Sequence, residues 1–304
     1  MASLSFLTVC LNPTFQKTLR FAACVKNSVN RTDRHRFDVS GKGVNVARVL
    51  TQLGRGAVHL TQLGGPLCSL FLSMCREEGL DIRWEESRSP IRFCCTVIDD
   101  TDATVTELVE ESLPVHPETG KLIAGAFEKL LPLVKTVIIS GTKAAGFDGE
   151  LIPGMVRRAK AAGLRVILDI RGPDLTGSLR FRPDIIKPNL SEFLATFFPG
   201  IAPETIGGDG KSRIAEKMLE LCADFGCRVV LTRGPGAVWA AEGNSFSEFE
   251  FEPLVPLNST GSGDAFTAGL AAALEDGEDL SGAIQKGIEC GRLNAAQLKP
   301  GSIL

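Results

Sequence analysis

The chain has 304 residues, of which 44% are hydrophobic and 23% are charged, and its formal net charge at pH 7 is -3. This composition excludes a largely disordered chain, and the length fits a single α/β domain better than a string of small modules. The near balance of charge gives no overall attraction to nucleic acid or to an anionic membrane, so neither is expected as a partner.

The nine cysteines include no Cys-x-x-Cys pair, and none of the three histidines lies at a metal-ligand spacing from a cysteine. This pattern favours reduced thiols in a cytoplasmic protein over disulfides or a zinc site. Residues 1–10 are apolar without a basic segment or a cleavage site, which predicts a buried strand and not a signal peptide. No apolar run reaches the length of a membrane span.

Short apolar runs alternate with helical patterns along the chain. The predicted strands are 4–11, 57–63, 136–140, 165–170, 185–187 and 228–232. The predicted helices are 44–53, 67–78, 118–131, 149–162, 212–225, 264–273 and 280–298. Strands that are apolar on both faces and alternate with helices predict a doubly wound, mainly parallel sheet flanked by helices.

Two segments, 15–40 and 91–109, interrupt this alternation. Both show polar-alternating strand patterns without a crossover helix, which predicts a small antiparallel sheet beside the main fold. Such a sheet is well placed to be a lid, formed by inserted segments at about 14–40 and 88–110 of one domain spanning 1–304. Segment 198–211, with two prolines and four glycines, is predicted to be a loop.

The string Asn258-Ser259-Thr260-Gly261-Ser262-Gly263-Asp264-Ala265-Phe266 carries the strongest chemical signal. Its glycines let the backbone approach an anion, and the helix that follows offers free N–H groups and the positive end of its dipole. Asp264 lies in the first turn of that helix, where a carboxylate can accept a proton from an attacking hydroxyl. The alternative interpretation is a glycine-rich turn with ordinary helix capping.

A second glycine-rich turn, Ser40-Gly41-Lys42-Gly43-Val44-Asn45-Val46-Ala47-Arg48, also runs into a helix. Asn45 is placed to bind sugar hydroxyls and Lys42 to reach an anion. The spacing is not that of a P-loop. The alternative interpretation is a simple strand-to-helix turn with Lys42 in solvent.

Together these two strings resemble the two signatures of the phosphofructokinase B family of carbohydrate kinases, in the ribokinase superfamily. Further matches follow in the family's order at 10–13, 30–31, 91–92, 106–108, 140–142, 187–192 and 232–237. The Leu-Asn-Pro start, the Lys-Pro-Asn string and Asn258-Ser259 resemble the 1-phosphofructokinase and tagatose-6-phosphate kinase branch. The resemblance implies a ribokinase-like fold, ATP as phosphoryl donor, Mg²⁺, and a possible activating monovalent cation.

By this resemblance Asp264 is the general base, and the backbone of Gly261, Ser262, Gly263 and Asp264 forms an anion hole. The residues implied to bind ATP are Lys187, Asn189, Thr232, Gly234, Gly236 and Asn294. Glu192 is implied to bind Mg²⁺ through water, although the residue alone would suggest a helix cap. The residues implied to bind the acceptor are Gln16, Arg31, Gly41, Lys42, Asn45, Arg92 and Ser140.

Two features of the implied acceptor site bear on the substrate. Arg31, Arg92 and Lys42 would supply the cations that a phosphorylated sugar needs. Gln16 stands where the family usually has Asp, so the pattern of hydroxyls that is recognised could differ. The family's lids often pair between subunits, which implies a homodimer through the lid. Phe15, Phe21, Phe37 and Phe93 would make apolar contacts there, unless they pack within one subunit.

The resulting hypothesis is ATP-dependent phosphorylation of a ketohexose phosphate, fructose 1-phosphate to fructose 1,6-bisphosphate. The alternatives are a tagatose-6-phosphate or fructose-6-phosphate kinase, and a kinase of an unphosphorylated sugar or nucleoside. A non-catalytic sugar-phosphate sensor would be expected to lack Asp264 or the glycines around it. A dinucleotide-dependent oxidoreductase would need G-x-G-x-x-G after the first strand, where Cys10-Leu11-Asn12-Pro13 stands instead.

Overall fold

The computed structural model describes residues 4–201, 210–252 and 254–304. The strands are β1 (Leu4–Val9), β2 (Thr14–Phe21), β3 (His35–Ser40), β4 (Gly56–Leu63), β5 (Asp81–Glu86), β6 (Arg92–Asp99), β7 (Thr104–Val109), β8 (Thr136–Ser140), β9 (Arg165–Asp169), β10 (Ile185–Ile186), β11 (Arg228–Arg233), β12 (Gly236–Glu242) and β13 (Ser245–Phe249). The helices are α1 (Lys42–Gln52), α2 (Cys68–Glu77), α3 (Thr119–Leu130), α4 (Leu151–Ala161), α5 (Gly172–Leu179), α6 (Leu190–Phe197), α7 (Gly210–Phe225), α8 (Ser262–Glu275) and α9 (Leu280–Ala295).

The main sheet has the strand order β13-β12-β11-β10-β9-β8-β1-β4-β5. Its strands pair in parallel from β5 to β11, and β12 and β13 extend the sheet in antiparallel pairing. The predicted doubly wound, mainly parallel sheet is therefore confirmed. Because parallel strands end at the same edge of a sheet, their carboxyl ends form one row.

Helices cover both faces of the main sheet. One apolar core joins the sheet to α3, α4, α5, α6 and α7, and a second joins its other face to α1, α8 and α9. Strand β8 is buried along its whole length. Burial on both faces explains why its sequence, Thr-Val-Ile-Ile-Ser, is nearly continuously apolar instead of alternating.

The predicted strands and helices are all present, with ends shifted by a few residues. Helix α9 ends at Ala295, earlier than predicted, because the Ala295 carbonyl accepts hydrogen bonds from Leu257 N and Asn258 N instead of from a further helical turn. Strands β5, β12 and β13 were not predicted, and neither were α5 and α6, which are only eight residues long. Of the predicted loop 198–211, residues 202–209 lie outside the described residues, and Gly210 and Lys211 begin α7.

A second sheet has the strand order β3-β2-β6-β7, which confirms the predicted small sheet beside the main fold. Its outer pairs, β2 with β3 and β6 with β7, are antiparallel as predicted. The central pair, β2 with β6, is parallel. Both strands leave the same edge of the main sheet, after β1 and β5, so they run in the same direction.

One face of this small sheet carries a stack of phenylalanines. The rings of Phe37 and Phe93 flank that of Phe15, with centroids 5.1 and 5.5 Å away. Phe15 is buried and packs edge-on against Phe71 of α2, whereas Phe37 and Phe93 are 36% and 38% exposed. Thus Phe15 packs within the chain, and the two outer rings leave apolar surface open to solvent.

Among the described residues, every helix is too short or too polar to cross a bilayer.

Candidate active site

The carboxyl ends of the central strands bring several predicted residues to one edge of the main sheet. Ser140 ends β8, Asp169 ends β9 directly beside it, and Lys187 follows β10. In open α/β sheets, ligands bind in the crevice beyond this edge. The amino-terminal ends of α1 and α8, which follow the two glycine-rich turns, meet at the same place through Asn45 and Asp264.

Asp264 is buried in the first turn of α8, and Asn45 Nδ2 donates a hydrogen bond of 2.8 Å to its Oδ2. The orientation of the Asn45 amide is fixed from its other side. Asn45 Oδ1 accepts from Arg48 Nη1 at 2.8 Å and from Ser40 Oγ at 3.1 Å. Because two donors hold the oxygen, the amide nitrogen must face Asp264. The two signature strings thus form one hydrogen-bonded unit across 219 residues of sequence.

The surroundings of Asp264 favour its protonated form more than water does. Burial raises its pKa to about 7, and the nearby Asp169 carboxylate acts in the same direction. Lys42, the Asn45 amide and Lys187 oppose this shift. A carboxyl group with a pKa near neutrality is suited to accept a proton during a reaction at physiological pH.

Asp169 lies at the centre of a charge network that was not predicted from the sequence. Its carboxylate is 3.2 Å from Lys42 Nζ, 3.3 Å from Lys187 Nζ, and accepts a hydrogen bond of 3.1 Å from Thr267 Oγ1. Burial alone would raise its pKa, but Lys187 and Lys42 hold the pKa below its usual value. The available signal was a charged residue at the end of a buried parallel strand, Arg165–Asp169.

Lys42 connects this network to Glu192. Its Nζ donates to Glu192 Oε1 at 2.7 Å as well as to Asp169. Burial alone would lower the pKa of Lys42, but the carboxylates of Asp169, Glu192 and Asp264 raise it above the ordinary value. Lys42 is therefore charged and bound to two acids, unlike the solvated lysine of the alternative interpretation.

Glu192 also takes part in a capping box with Asn189 at the start of α6. Asn189 Oδ1 accepts from Glu192 N at 2.8 Å, and Glu192 Oε2 accepts from Asn189 N at 3.0 Å. Both uses suggested by the sequence, a helix cap and a charged group at the site, coexist because each involves a different carboxylate oxygen. The cap also fixes the direction in which Oε1 points.

The loop before α8 has the geometry of an anion-binding turn. Gly261 adopts a left-handed conformation with φ 85°, and a Cβ at this position would lie 2.3 Å from Gly301 N. Only glycine fits there. Among the described residues, no carbonyl accepts from the backbone N–H of Gly263 or Asp264, as expected at a helix N-terminus. These two N–H groups are free to bind an anion.

Asn294, predicted to lie near the nucleotide, is buried beneath this loop. Its Nδ2 donates to Thr260 O and Ser262 Oγ, each at 3.0 Å, and its Oδ1 accepts from Ser302 N at 3.0 Å. The side chain therefore holds the loop and the segment after α9 together.

Apart from Asn294, the residues predicted to bind ATP lie at or just after the carboxyl ends of two neighbouring strands, β10 and β11. Thr232 lies near the end of β11 and forms a parallel bridge with Asn189. Gly234 has φ 60° in the tight turn that leads to Gly236 at the start of β12. Lys187 is 2% exposed and lies 5.9 Å from the Phe266 ring centroid.

Most residues predicted to bind the acceptor surround the first glycine-rich turn. Gly41 has φ 121°, and a Cβ added there would lie 3.2 Å from Pro13 Cα. The turn therefore packs closely against the segment after β1. Ser140 Oγ is buried without a partner among the described residues. Arg92 donates to Glu110 O at 2.9 Å and approaches Asn12 O at 3.5 Å.

Two predicted acceptor residues lie farther from this turn. Gln16 is on β2 of the small sheet, where its Nε2 donates to Thr96 Oγ1 at 2.8 Å. Arg31 is exposed between β2 and β3, and within the described chain it makes no hydrogen bond or ion pair with the other site residues. The small sheet does reach the anion-binding loop, because Glu107 of β7 accepts from Thr260 Oγ1 at 3.0 Å.

A comparison with protein families shows to which family the chain belongs. Residues 11–303 match the model of the pfkB family of carbohydrate kinases. The chain belongs to this family. It is therefore an ATP-dependent carbohydrate kinase, as the two glycine-rich strings indicated.

Individual relatives of this pfkB kinase agree in fold and class. It is 30% identical over 281 residues to a 1-phosphofructokinase of Rhodobacter capsulatus, covering 92% of this chain and 86% of the relative. A structure described as a possible 1-phosphofructokinase from Thermotoga maritima superposes with a TM-score of 0.86 at 21% identity, over 97% and 93% of the two chains. The tetrameric inhibited form of Escherichia coli phosphofructokinase-2 has a TM-score of 0.82 at 20% identity, over 96% and 94%.

Proposed function

We propose that this pfkB kinase transfers the γ-phosphoryl group of ATP to fructose 1-phosphate, giving fructose 1,6-bisphosphate. The observation that carries the proposal is Asp264, which is buried at the start of α8 and faces Asn45. Beside it are two backbone N–H groups to which the described residues offer no carbonyl partner. The 1-phosphofructokinase of Rhodobacter capsulatus, 30% identical to this chain, supports the choice of acceptor.

Asp264 acts as the general base. Its carboxylate takes the proton of the acceptor hydroxyl while that oxygen forms a bond to the γ-phosphorus, the bond to the β–γ bridging oxygen breaks, and ADP leaves. The N–H groups of Gly263 and Asp264, with the turn at Gly261 and Ser262, stabilise the negative charge that develops on the transferred group. Asn45 holds the carboxylate in place through its 2.8 Å hydrogen bond.

Lys187 and the turn at Thr232, Gly234 and Gly236 are the proposed nucleotide-binding elements. Lys187 supplies positive charge at the end of β10, and Asn189 lies beside Thr232 with its side-chain nitrogen uncommitted to the helix cap. Asn294 contributes by supporting the loop between Thr260 and Ser262, since its amide already binds both. Whether a monovalent cation activates the enzyme stays a prediction, which rates in potassium and sodium buffers would test.

The carboxylates of Asp169 and Glu192 fit the oxygen donors that Mg²⁺ prefers, and both bind the single ammonium group of Lys42. The described residues contain no group of three or more His, Cys, Asp or Glu that could hold a metal. We therefore propose that these two carboxylates hold Mg²⁺ partly through water. When bound, the ion neutralises phosphate charge. Loss of activity on Mg²⁺ removal would test this.

The acceptor would bind between the first glycine-rich turn and the small sheet. Gly41, Asn45 and Ser140 face its hydroxyl groups, and Ser140 Oγ has no hydrogen-bond partner in the described part of the chain. Lys42 and Arg92 supply positive charge for its phosphate, and Gln16 lies on the covering sheet. Arg31 joins this set only if the segment between β2 and β3 moves or a second subunit presents it.

The small sheet is proposed to be the lid of a single kinase domain and the contact surface of a homodimer. The partly exposed rings of Phe37 and Phe93 support this, because they leave a continuous apolar stack uncovered. Escherichia coli phosphofructokinase-2, a structural neighbour, has a tetrameric form. Sedimentation of wild type and of Phe93→Lys would test whether the small sheet forms the dimer contact.

All nine cysteines are free thiols, which supports a cytoplasmic location.

The first test is ADP release with ATP and Mg²⁺ against fructose 1-phosphate, fructose 6-phosphate, tagatose 6-phosphate, fructose, ribose and adenosine. We expect turnover with fructose 1-phosphate to exceed that with every other compound. Preference for tagatose 6-phosphate or fructose 6-phosphate would show that the proposed acceptor is wrong, whereas the proposed phosphoryl transfer would still hold. Turnover on fructose, ribose or adenosine alone would contradict a phosphate-binding site at Lys42 and Arg92.

The pH dependence of kcat/KM should report the Asp264 carboxyl group. Because the base must be deprotonated and its pKa is about 7, we expect the rate to fall about tenfold per pH unit well below pH 7 and to level off above it. Removing the Asn45 amide, which lowers this pKa, should move the midpoint to higher pH. A wild-type profile that stays flat down to pH 5 would contradict Asp264 as the base.

A further inference from the structure

The small sheet has a polar face opposite to the phenylalanine stack. Side chains alternate between the faces of a strand, so Thr14, Gln16 and Thr18 of β2 share one face. The register of β2 and β3 places Gln16 directly opposite Asp38 and Thr14 directly opposite Ser40. Asp38 and Gln16 are therefore cross-strand neighbours, with Cβ atoms about 5 Å apart.

This polar face is turned toward the catalytic groups at both of its ends. Ser40, two residues after Asp38 on the same face, donates through Oγ to Asn45 Oδ1, and Asn45 binds Asp264. At the other edge, Glu107 of β7 accepts from Thr260 Oγ1. A molecule held between the small sheet and the first turns of α1 and α8 would face Gln16 and Asp38.

Asp38 is a buried charge with unused acceptor capacity. It is 2% exposed, and each carboxylate oxygen accepts one hydrogen bond from Arg36, at 2.8 Å to Oδ1 and 3.2 Å to Oδ2. A carboxylate offers about four lone-pair sites, so about two remain. Among the described residues no other donor takes them.

Gln16 alone cannot replace Asp38 as a hydrogen-bond acceptor. Its Nε2 is bonded to Thr96 Oγ1, and an uncharged amide oxygen is a weaker acceptor for a hydroxyl than a carboxylate. Sugar hydroxyls are hydrogen-bond donors, and they need acceptors that are held rigidly. Asp38, fixed by Arg36 and by the strand pairing, is such an acceptor.

We propose that Asp38 accepts hydrogen bonds from hydroxyl groups of the acceptor sugar and so determines, with Gln16 beside it, which sugar phosphate is bound. This inference rests on the proposed sugar-phosphate kinase activity. Asp38 binds the acceptor and takes no part in proton transfer, which belongs to Asp264.

The substitution Asp38→Asn tests this with little change in shape. We expect the KM for fructose 1-phosphate, or for whichever sugar phosphate the ADP-release assay shows to be the best acceptor, to rise about ten- to a hundredfold. The KM for ATP should stay within about twofold, because Asp38 lies away from the nucleotide elements. Asp33→Asn is the matched control: it removes the same charge from the exposed turn before β3, and its kinetics should match wild type.

Acceptor analogues that lack the 3- or the 4-hydroxyl separate hydrogen bonding from a purely structural role. If Asp38 binds one of these hydroxyls, the Asp38→Asn effect should largely disappear for the analogue that lacks it. Equal effects on all analogues would overturn the proposal and leave Asp38 as an ion-pair partner of Arg36.

Asp38→Glu is the second variant, because it keeps the charge and the ability to pair with Arg36. Our proposal expects a raised KM for the sugar phosphate here too, since the carboxylate moves by one methylene. A wild-type KM in Asp38→Glu would contradict it. Failure of the proposed function itself would look different, because the wild-type enzyme would then turn over none of the sugar phosphates.

Discussion

Asp264→Asn is expected to lower kcat by a factor of about 10² to 10⁴, the usual contribution of a general base. The amide cannot accept a proton from the acceptor hydroxyl, yet it has nearly the shape of the carboxylate and can keep a contact with Asn45. Binding should therefore survive. We expect the Kd for ATP, measured by calorimetry, to stay within about threefold of wild type, and single-turnover kinetics to show a slow chemical step.

The same variant should change how stability depends on pH. The folded-state pKa of Asp264 is about 7, above the ordinary aspartate pKa of 3.8 that applies to the unfolded chain, so protonation stabilises the folded state. In wild type this contribution is present below pH 3.8 and is lost as the pH rises to about 7. The difference in Tm, variant minus wild type, should therefore increase over this range and then stay constant.

A kcat near wild type in Asp264→Asn would exclude this residue as the base.

Asp169→Asn is expected to have the second-largest effect, on stability as well as on rate. The substitution leaves the ammonium group of Lys187, 2% exposed, without its carboxylate partner among the described residues. Breaking a buried ion pair in this way costs about 3–5 kcal/mol. Because Lys42 and Lys187 would shift, we also expect kcat to fall about 10²-fold. Urea unfolding and the ADP-release assay measure the two effects.

Asp276→Asn is the control for this prediction. Asp276 pairs with Arg55, whose side chain is 34% exposed while that of Asp276 is 48% exposed, so the same change should cost less than about 1 kcal/mol. Equal losses of unfolding free energy in the two variants would mean that burial does not set the strength of the Asp169 network. Wild-type activity in Asp169→Asn would remove this residue from the site.

The sequence was sufficient to predict the main fold and to single out the two glycine-rich turns. Strands that are apolar on both faces, such as Thr136–Ser140, indicate a sheet covered by helices, and that signal depends only on local composition. The small sheet was predicted because 15–40 and 91–109 lack a crossover helix. Its parallel central pair was missed, because pairing depends on where β2 and β6 leave the main sheet.

The contacts within the site could not be predicted in the same way. Asp169 interacts with Lys42, Lys187 and Thr267, which are distant in sequence and meet only through the strand order. Asn294 belongs to a similar set, since its partners are Thr260, Ser262 and Ser302. Short elements such as α5, which begins Gly172-Pro173, have the composition of a loop and form because the sheet and α4 pack against them.

The segment after α9 has a consequence for how the enzyme acquires activity. Gly301 packs so closely that an added Cβ would lie 2.3 Å from Asn45 Cβ, and Gly261 packs equally closely against Gly301. The general base, its amide partner and this segment thus come from distant parts of the chain, and closing such large loops is slow compared with forming local helices. A ribosome-bound chain that still lacks residues 300–303 would be inactive even with its central sheet formed. During refolding, catalysis should accordingly return later than helical circular dichroism.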